Sequence, residues 1–335
     1  MSGHGPVVAY NELGQEGLSH DDPVTAYRRA NVYPPSSRPL TLEHDDLLHP
    51  NKRHESLRPT EADDGVEFLF TADKYFVVGD DVLNTRLTIM KGGSPVVGAK
   101  IVQAFAAIAD PNQPNPAQIP MQYTAGEGGF NAVLTPSTIG VKRQAAIGVY
   151  VEFDDGTGHG TQRGHFDFQY DPSGAIPARF NGTFSDAIVN GSLVVYAGID
   201  VKLAGNYIID CNLYDNAGSP VGWTRWKQPL AQGSQKVDLT YFGKVIVDAK
   251  ASGPFHIGEL RGARFVPGSD PDLEQMADFT GTYATAPYKT NQFSDAEYDS
   301  AQKQQMLQML SDQAAKGVHQ GAATETPASH PGDEH

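Results

Sequence analysis

Alternation of apolar and polar residues with a period of two constrains the fold of this chain more than any other feature. It is clearest in VLNTRLTIM, where one face of an extended chain would carry Leu83, Thr85, Leu87 and Ile89. The same alternation returns in AIGVYVEF (146–153) and GHFDFQY (164–170). Because successive side chains of a strand point to opposite faces, each stretch is predicted to be a half-buried β-strand.

A second set of such stretches follows at intervals of roughly 8 to 12 residues, the spacing typical of an all-β sandwich. These stretches are GSLVVYAGIDV, GNYIIDCNLYD, PVGWTRWKQPL, QKVDLTYFG and GPFHIGELRGARF. The composition agrees, since 35 Gly, 23 Pro, 15 Phe and 14 Tyr accompany only 19% charged residues. That balance favours many short strands over long helices.

We therefore predict an all-β fold of two tandem antiparallel β-sandwiches, residues 65–170 and 176–268. A chain of 335 residues is long enough for two cores of ordinary size. The stretch YDPSGAIPAR (170–179), which holds two prolines, is predicted to connect the two domains.

The segments outside these domains have a different character. Residues 1–60 are rich in Pro, His, Asp and Arg without sustained periodicity, which predicts an extended or partly disordered segment. A tail of residues 269–317 is predicted to hold a helix over about 295–315. Its start is indicated by Ser294 and Glu297, which have the spacing of a capping box.

One face of this predicted helix is apolar and forms a candidate interaction stripe. Its members are Met306, Leu307, Met309 and Leu310, with Ala314 further along. A helix with one such stripe is marginal alone and is stabilised by whatever covers the stripe. Two covers stay open, the chain's own sandwich and another protein chain, because methionine adapts to varied surfaces. The composition of residues 318–335 predicts a disordered end.

The second set of strands has recognisable marks. They are strand entries at Gly205 and Gly253, a turn from Asp215 to Gly218, and the segment LAQGSQKVDLTYF. Over about residues 176–266 the chain resembles the immunoglobulin-like β-sandwich modules of bacterial multidomain proteins, including the choice-of-anchor type that is sometimes attached to von Willebrand A domains. The resemblance implies a fold rather than a site. The metal motif of von Willebrand A domains does not occur in this sequence, so no adhesive metal site is carried over.

The single cysteine of the chain, Cys211, cannot form an intramolecular disulfide. Tyr207, Ile209 and Leu213 share its parity, which places the thiol on the core face of a strand. We therefore expect a small buried hydrophobe rather than a reactive thiol.

Both tryptophans lie in the next predicted strand, together with Arg225. Trp223 and Trp226 have opposite parities, so a regular strand turns one of them to the core and the other outward. An exposed indole beside Arg225 is able to stack on a sugar ring or a protein partner, whereas packing under a loop leaves no site. Trp223, Arg225 and Trp226 are therefore the candidate ligand-binding residues.

Asp154 and Asp155, in EFDDGTGHG, are the candidate metal ligands. Carboxylate oxygens suit calcium, the one cofactor that the sequence suggests. The spacing lacks the D-x-D-x-D-G pattern and a terminal Glu, so a solvated turn is the alternative reading of this stretch.

The charge of the chain limits its partners. A net charge of −15, with no Lys/Arg cluster to reverse it locally, excludes nucleic acid, whereas a protein or a glycan stays open. The sequence contains no apolar run of 18 residues, so we predict no transmembrane segment. We expect a periplasmic or secreted location if this is a mature chain, and a cytoplasmic one if Met1 is the native start.

Two classes of function are compatible with these features. The first is a non-catalytic binding or structural protein built of tandem immunoglobulin-like sandwiches, of a bacterial cell envelope or exterior. The second is a carbohydrate-active enzyme or accessory module whose site is assembled at the domain interface from residues such as His165, Asp167 and Tyr170. The sequence favours the first class, because catalysis on a sandwich usually leaves a visible carboxylate or histidine cluster.

Overall fold

A computed structural model describes residues 22–51, 54–59, 65–109, 118–126, 129–156, 158, 160–269 and 272–322. The chain divides into two compact units. The larger unit lies within residues 36–296, and the smaller one combines the described residues of 1–35 and 297–335.

Strands dominate the structure. In chain order they begin with β1 (Ser37–Pro39), β2 (His54–Pro59), β3 (Val66–Ala72), β4 (Phe76–Val78), β5 (Leu83–Lys91), β6 (Ser94–Pro95), β7 (Lys100–Ile108), β8 (Ile119–Pro120), β9 (Thr124–Gly126), β10 (Gly129–Leu134), β11 (Ala145–Asp154) and β12 (Thr161–Asp171). They continue with β13 (Ala178–Val189), β14 (Ser192–Val201), β15 (Gly205–Tyr214), β16 (Pro220–Leu230), β17 (Gly233–Tyr241), β18 (His256–Phe265) and β19 (Leu273–Gln275). The helices are α1 (Pro23–Ala30), α2 (Asp45–Leu48), α3 (Gly243–Asp248) and α4 (Ala301–Ala322), with 3₁₀ turns at Pro136–Ile139 and Thr290–Gln292. Strands hold 49% and helices 15% of the described residues, which confirms the predicted all-β class with a C-terminal helix.

Two of the sheets share one hydrophobic core. Sheet B has the strand order β2-β3-β5-β10-β9, with β6 paired to β5, and sheet C has the order β4-β12-β11-β7-β8. The alternation in the sequence explains this core, because Leu87 and Ile89 of β5 and Val149 of β11 are buried in the same cluster. Gly164 of β12 allows close packing, since a Cβ atom there would lie 2.8 Å from a ring carbon of Phe68.

The other two sheets share a second core. Sheet A has the order β1-β16-β15-β18-β19, and sheet D has the order β13-β14-β17. Side chains of both sheets, such as Val195, Ile209 and Leu239, join one buried cluster. The fold is thus sandwich-like, and its description as two tandem immunoglobulin-like domains stays a prediction.

The smaller unit contains α1 and α4, which are in contact. Lys303 of α4 is buried and its ammonium group donates to the carbonyl oxygens of Asn31 and Tyr298, at 2.8 and 2.7 Å. In the candidate interaction stripe Leu307 is buried, Met306 and Leu310 are half-buried, and Met309 is 47% exposed. No helix in the described part of the chain is both long and apolar enough to cross a lipid bilayer.

The flanking segments differ from two expectations. Residues 23–30 are helical rather than extended, because Asp22 accepts hydrogen bonds as the N-cap and a proline occupies the first turn. Helix α4 begins at Ala301 rather than near residue 295. Ser300, not Ser294, accepts a hydrogen bond from the Lys303 N–H at its start. Residues 1–21, predicted as extended or partly disordered, and residues 323–335, predicted as disordered, lie outside the described residues. The disordered end was predicted to begin at residue 318, whereas α4 extends to Ala322.

Candidate functional site

The predicted ligand-binding residues lie on β16, but not on an open surface. Trp223 is 2% exposed and Trp226 8% exposed, so neither indole faces solvent and, of the two alternatives, packing under another part of the chain applies. Trp226 joins the core of sheets A and D, and its indole N–H donates to Asp238 at 2.8 Å. Trp223 lies on the other face of sheet A, in a separate buried cluster.

Residues 36–48, which we call the N-terminal strap, cover Trp223. Strand β1 of the strap pairs with β16 and places Arg38 opposite Trp223. Leu40 and Leu47 pack with the indole in one buried cluster. Asn212 of β15 holds the strap in place, since its side-chain amide donates to the Leu47 carbonyl at 2.7 Å. The chain's own residues therefore occupy the surface on which a ligand was predicted to stack.

Arg225 is held in an ion pair on the same face. Its guanidinium donates twice to the Asp210 carboxylate, at 2.7 and 2.8 Å, and Arg261 approaches that carboxylate at 3.5 Å. The guanidinium carbons of Arg38 and Arg225 lie 4.7 and 5.1 Å from the centroid of the Trp223 ring. Cation–π contacts and a bidentate pair both stabilise this packing. The structure therefore brings Trp223 and Arg225 together as structural elements and places Trp226 on the opposite face.

Cys211 lies in the core of sheets A and D, as its parity predicted. The residue is fully buried, and this burial raises the pKa of the thiol to about 12. A thiol with so high a pKa is a poor source of thiolate, which is the nucleophilic form of cysteine.

Asp154 is the last residue of β11 and Asp155 follows it in the turn to β12, and their surroundings differ. Asp154 accepts a hydrogen bond from the Gly156 N–H at 2.9 Å, which closes the turn. Asp155 is fully buried. Within the described residues, no three His, Cys, Asp or Glu side chains group as ligands for a metal ion. Calcium binding at this turn stays a prediction.

The residues named for a catalytic alternative do not converge. Tyr170 is buried between sheets B and C, where its hydroxyl donates to the Gly79 carbonyl at 3.0 Å. His165 and Asp167 lie on the opposite, exposed face of β12. A general acid or base has to reach the proton that it transfers. The three side chains therefore cannot act together on one substrate atom.

The outer face of sheet C carries three aromatic rings that the sequence analysis did not connect. Phe105, Tyr150 and His165 lie directly opposite one another on β7, β11 and β12. The ring centroids of Phe105 and Tyr150 are 5.2 Å apart, and those of Tyr150 and His165 are 5.6 Å apart, with interplanar angles of 21° and 17°. Phe105 and Tyr150 are half-buried and His165 is exposed. We call these three residues the aromatic row.

Polar side chains flank the aromatic row on one side. Glu152 of β11 accepts a hydrogen bond from the Arg163 guanidinium at 2.7 Å, and Gln103 of β7 lies opposite Glu152. The Arg163 side chain is 77% exposed, so this ion pair faces water. The face therefore offers charged and amide groups next to aromatic carbon.

A glycine and a carboxylate flank the row on its other side. The Tyr150 ring lies over Gly148, where a Cβ atom would be 2.6 Å from a ring carbon. Asp167 is exposed opposite Gly148 on β12. Burial, and secondly the negative charge of Asp167, raise the pKa of Tyr150. The Tyr150 hydroxyl thus stays protonated at neutral pH and is able both to donate and to accept a hydrogen bond.

A groove of about 260 Å³ opens at the Phe105 end of the aromatic row. One wall is β7 and the other is the stretch 118–123, which leaves sheet C for sheet B. The groove is lined by Val102, Gln103, Phe105, Gln118, Pro120 and Gln122, among other residues.

Residue parity contained a signal for this site. Tyr150 and His165 are outward-facing aromatic residues of AIGVYVEF and GHFDFQY. Their alignment with Phe105 depends on the register of three strands, which parity does not give.

Comparisons with known proteins give structural matches at low sequence identity. Neither a protein-family model nor a curated protein matches the sequence. A DUF4785 family protein from Legionella pneumophila is 15% identical, with a TM-score of 0.45, over 66% of this chain and 57% of that chain. The FN1–FN3 domains of chicken CNTN1 are 10% identical, with a TM-score of 0.23, over 65% and 77% of the two chains. The YadV chaperone is 12% identical, with a TM-score of 0.21, over 65% and 98%. This chain therefore spans less than two thirds of the Legionella protein that it matches.

Proposed function

We propose that this chain is a non-catalytic binding protein that holds its ligand on the outer face of sheet C. The aromatic row is the observation that carries the proposal. Its three rings lie on the side of the sheet away from the core, and the row ends at the exposed ring of His165. Aromatic side chains with a polar tip are enriched at binding surfaces because they contact both apolar and polar groups of a ligand.

The chemistry beside the row supports recognition of a polar ligand. Glu152, Arg163 and Asp167 flank the rings and supply hydrogen-bond donors and acceptors in contact with water. Sites that combine aromatic surface with a few placed polar groups fix both the position and the orientation of a ligand.

A binding role without catalysis is favoured by where the titratable groups lie. His165 and Asp167 are exposed on one face of sheet C, while Tyr170 is buried on the other. Asp171 has a pKa raised by burial to about 7, a value suited to acid–base chemistry, yet its side chain is fully buried. A carboxyl group without access to substrate cannot act as its general acid.

The proposal includes the type of molecule and its setting. We infer tandem immunoglobulin-like sandwiches, with residues 176–266 as a module of the bacterial choice-of-anchor type, in a cell envelope or exterior. The two separate cores and the strand entry at Gly205 support this part of the proposal.

A comparison of three proteins tests the site. The wild type, Tyr150→Ala and the control Tyr196→Ala are applied to immobilised panels of oligosaccharides and of peptides. Tyr196 is a matched control, because it is a half-buried tyrosine on sheet D, with the Lys236 ammonium 4.4 Å from its ring centroid. We expect at least one ligand whose affinity falls tenfold or more in Tyr150→Ala and is unchanged in Tyr196→Ala.

A second variant removes the ring from its place without removing an aromatic group. Gly148→Ala adds a methyl group 2.6 Å from a Tyr150 ring carbon and should displace the ring, with a similar loss of affinity. Ligands bound equally by all variants would contradict the assignment of this face. Release of a chemically altered ligand after incubation would contradict the non-catalytic role.

A further inference from the structure

The groove at Phe105 forms because one strand leaves sheet C. Strand β8 pairs with β7 at Phe105 and Ala106, and the Met121 N–H then donates to the Ala104 carbonyl at 2.9 Å. The chain next crosses to sheet B, where β9 begins at Thr124. The space between the departing chain and β7 is the groove, and it adjoins the aromatic row through Phe105.

Alternation in the crossing segment places amide side chains along the groove. Gln118 and Gln122 are exposed while Met121 between them is buried, and Gln103 lines the wall formed by β7. Each primary amide offers two N–H donors and a carbonyl acceptor. A sugar hydroxyl both donates and accepts, so one amide is able to pair with two neighbouring hydroxyls of the same ring.

The remaining surface of the groove is apolar. Pro120 lies opposite Phe105 across the β7–β8 pair. Val102 is 58% exposed where the pairing of β7 with β11 shifts register. The C–H face of a sugar packs on such surface while its hydroxyls reach the amides, the combination typical of small-molecule sites.

The charge of the groove distinguishes neutral saccharides from anionic ones as ligands. No charged side chain lines the groove among the described residues. The net charge of −15 disfavours the approach of anions to the protein as a whole. A carboxylated or sulfated ring would find no counter-charge among the described lining residues, whereas a neutral ring exchanges water hydrogen bonds for amide hydrogen bonds.

Resting on the proposed function, we infer that the ligand is a neutral saccharide, one ring of which lies in the groove. The volume of about 260 Å³ lies just below the range of about 300–1,000 Å³ that ligand pockets usually span, which suits one ring rather than a chain. The following rings of an oligosaccharide then lie along the aromatic row, from Phe105 over Tyr150 toward His165.

Calorimetric titration with size-matched oligosaccharides tests this inference. The probes are neutral hexasaccharides of glucose and of N-acetylglucosamine, an oligogalacturonate as the anionic counterpart, and the peptides bound in the panel above. The variants are Gln103→Leu with Gln122→Leu, which keep side-chain bulk and remove the amides, Tyr150→Ala, and the control Gln232→Leu at an exposed turn position. We expect a neutral hexasaccharide to bind and its affinity to fall at least tenfold in the groove variant and in Tyr150→Ala, but not in the control.

The possible results separate the two proposals. Binding of only an anionic saccharide or a peptide, lost in Tyr150→Ala, would overturn the saccharide inference and leave the proposed function standing. Binding of a neutral saccharide that needs Tyr150 but tolerates loss of both amides would overturn the groove as its subsite. A wild type whose binding never depends on Tyr150 would overturn both proposals. Unchanged thermal unfolding of each variant, followed by circular dichroism, confirms that these comparisons are made on folded protein.

Discussion

The outer faces of sheet A and sheet C contain the same kinds of residue, but they differ in how far they are exposed to solvent. Sheet A presents Trp223 beside the Arg225–Asp210 pair, and sheet C presents Tyr150 beside the Arg163–Glu152 pair. In both pairs an arginine Nε lies 2.7 Å from a carboxylate oxygen. The strap buries the first face, while the second stays half open.

The difference shows that composition does not decide whether a face is a site. An indole between two guanidinium groups looks like a recognition surface until a distant segment packs on it. On sheet C, no residue of the described chain buries His165 at the end of the row. Burial of apolar surface on the first face stabilises the folded chain. On the open face, the same burial is able to stabilise a complex with a ligand.

The largest expected contrast is between Trp223→Ala and Tyr150→Ala. Trp223→Ala should lower the free energy of unfolding by about 3–5 kcal/mol, because it empties a fully buried space under the strap. Tyr150→Ala should cost only about 1 kcal/mol, as expected for a cross-strand contact on an exposed face. Urea unfolding followed by circular dichroism measures both changes, and Trp226 fluorescence reports on sheet A in the first variant. Equal losses of stability would remove the distinction between the two faces.

The two ion pairs give the next contrast. Asp210→Asn should cost about 2–3 kcal/mol, because Arg225 and Arg261 lose a carboxylate whose side chain is only 10% exposed. Glu152→Gln should lower the free energy of unfolding by less than about 0.5 kcal/mol, because the side chain of its partner Arg163 is exposed to solvent. Repeating both measurements in about 1 M NaCl is the control, because salt screens the exposed pair more than the buried one. A larger cost at Glu152 would mean that sheet C is covered in solution.

The strands were predictable from sequence because burial on one face leaves a period of two. Ile147, Val149, Val151 and Phe153 are buried, and the polar residue Glu152 faces outward. Cys211 was placed correctly for the same reason. Helix α1 was missed because its start signal, Asp22 followed by Pro23, lies in a segment without periodicity.

The candidate site was predictable only in part. Parity showed that Trp223 and Trp226 face opposite ways, but the cover over Trp223 comes from Leu40 and Leu47, far away in sequence. Local pattern does not report such a contact. Prediction of the aromatic row would have required the register of the strands, which places Phe105 beside Tyr150. That register depends on the turns and on the packing of the whole sheet.

Sheet C and sheet A are connected through Asp171, and the third prediction concerns the titration of this residue. This carboxyl ends β12, and it accepts hydrogen bonds from the Gln144 side chain at 3.2 Å and from the backbone of Gln275 in β19. Burial raises its pKa from 3.8 to about 7. Between these pH values the folded protein holds a proton that the unfolded chain has lost, so the free energy of unfolding falls as pH rises from about 4 to 7.

We expect a decrease on the order of 3 kcal/mol across that range, and a flat dependence on this group above about pH 8. Asp171→Asn should remove the decrease and stabilise the protein at about pH 8, which thermal unfolding at a series of pH values measures. Asp215→Asn is the matched control, because Asp215 is an aspartate that accepts hydrogen bonds in an exposed turn. Two results together would contradict a protonated Asp171 carboxyl. The wild type would gain stability between about pH 4 and 7, and Asp171→Asn would be less stable than the wild type at about pH 8.

The smallest effect is also the most direct check on how the two faces differ. A double-mutant cycle of Phe105→Ala and Tyr150→Ala, and a second one of Tyr150→Ala and His165→Ala, isolates the coupling within the aromatic row. Each coupling should be about 0.5–1 kcal/mol, because stacked rings 5.2 and 5.6 Å apart on a sheet surface gain little beyond their contact area. Couplings so small would mean that contacts between the rings add little to folding, as expected of a face that is left open for a ligand. A coupling above about 2 kcal/mol would instead make Tyr150 a packing residue like Trp223, and the contrast between an open and a covered face would fail.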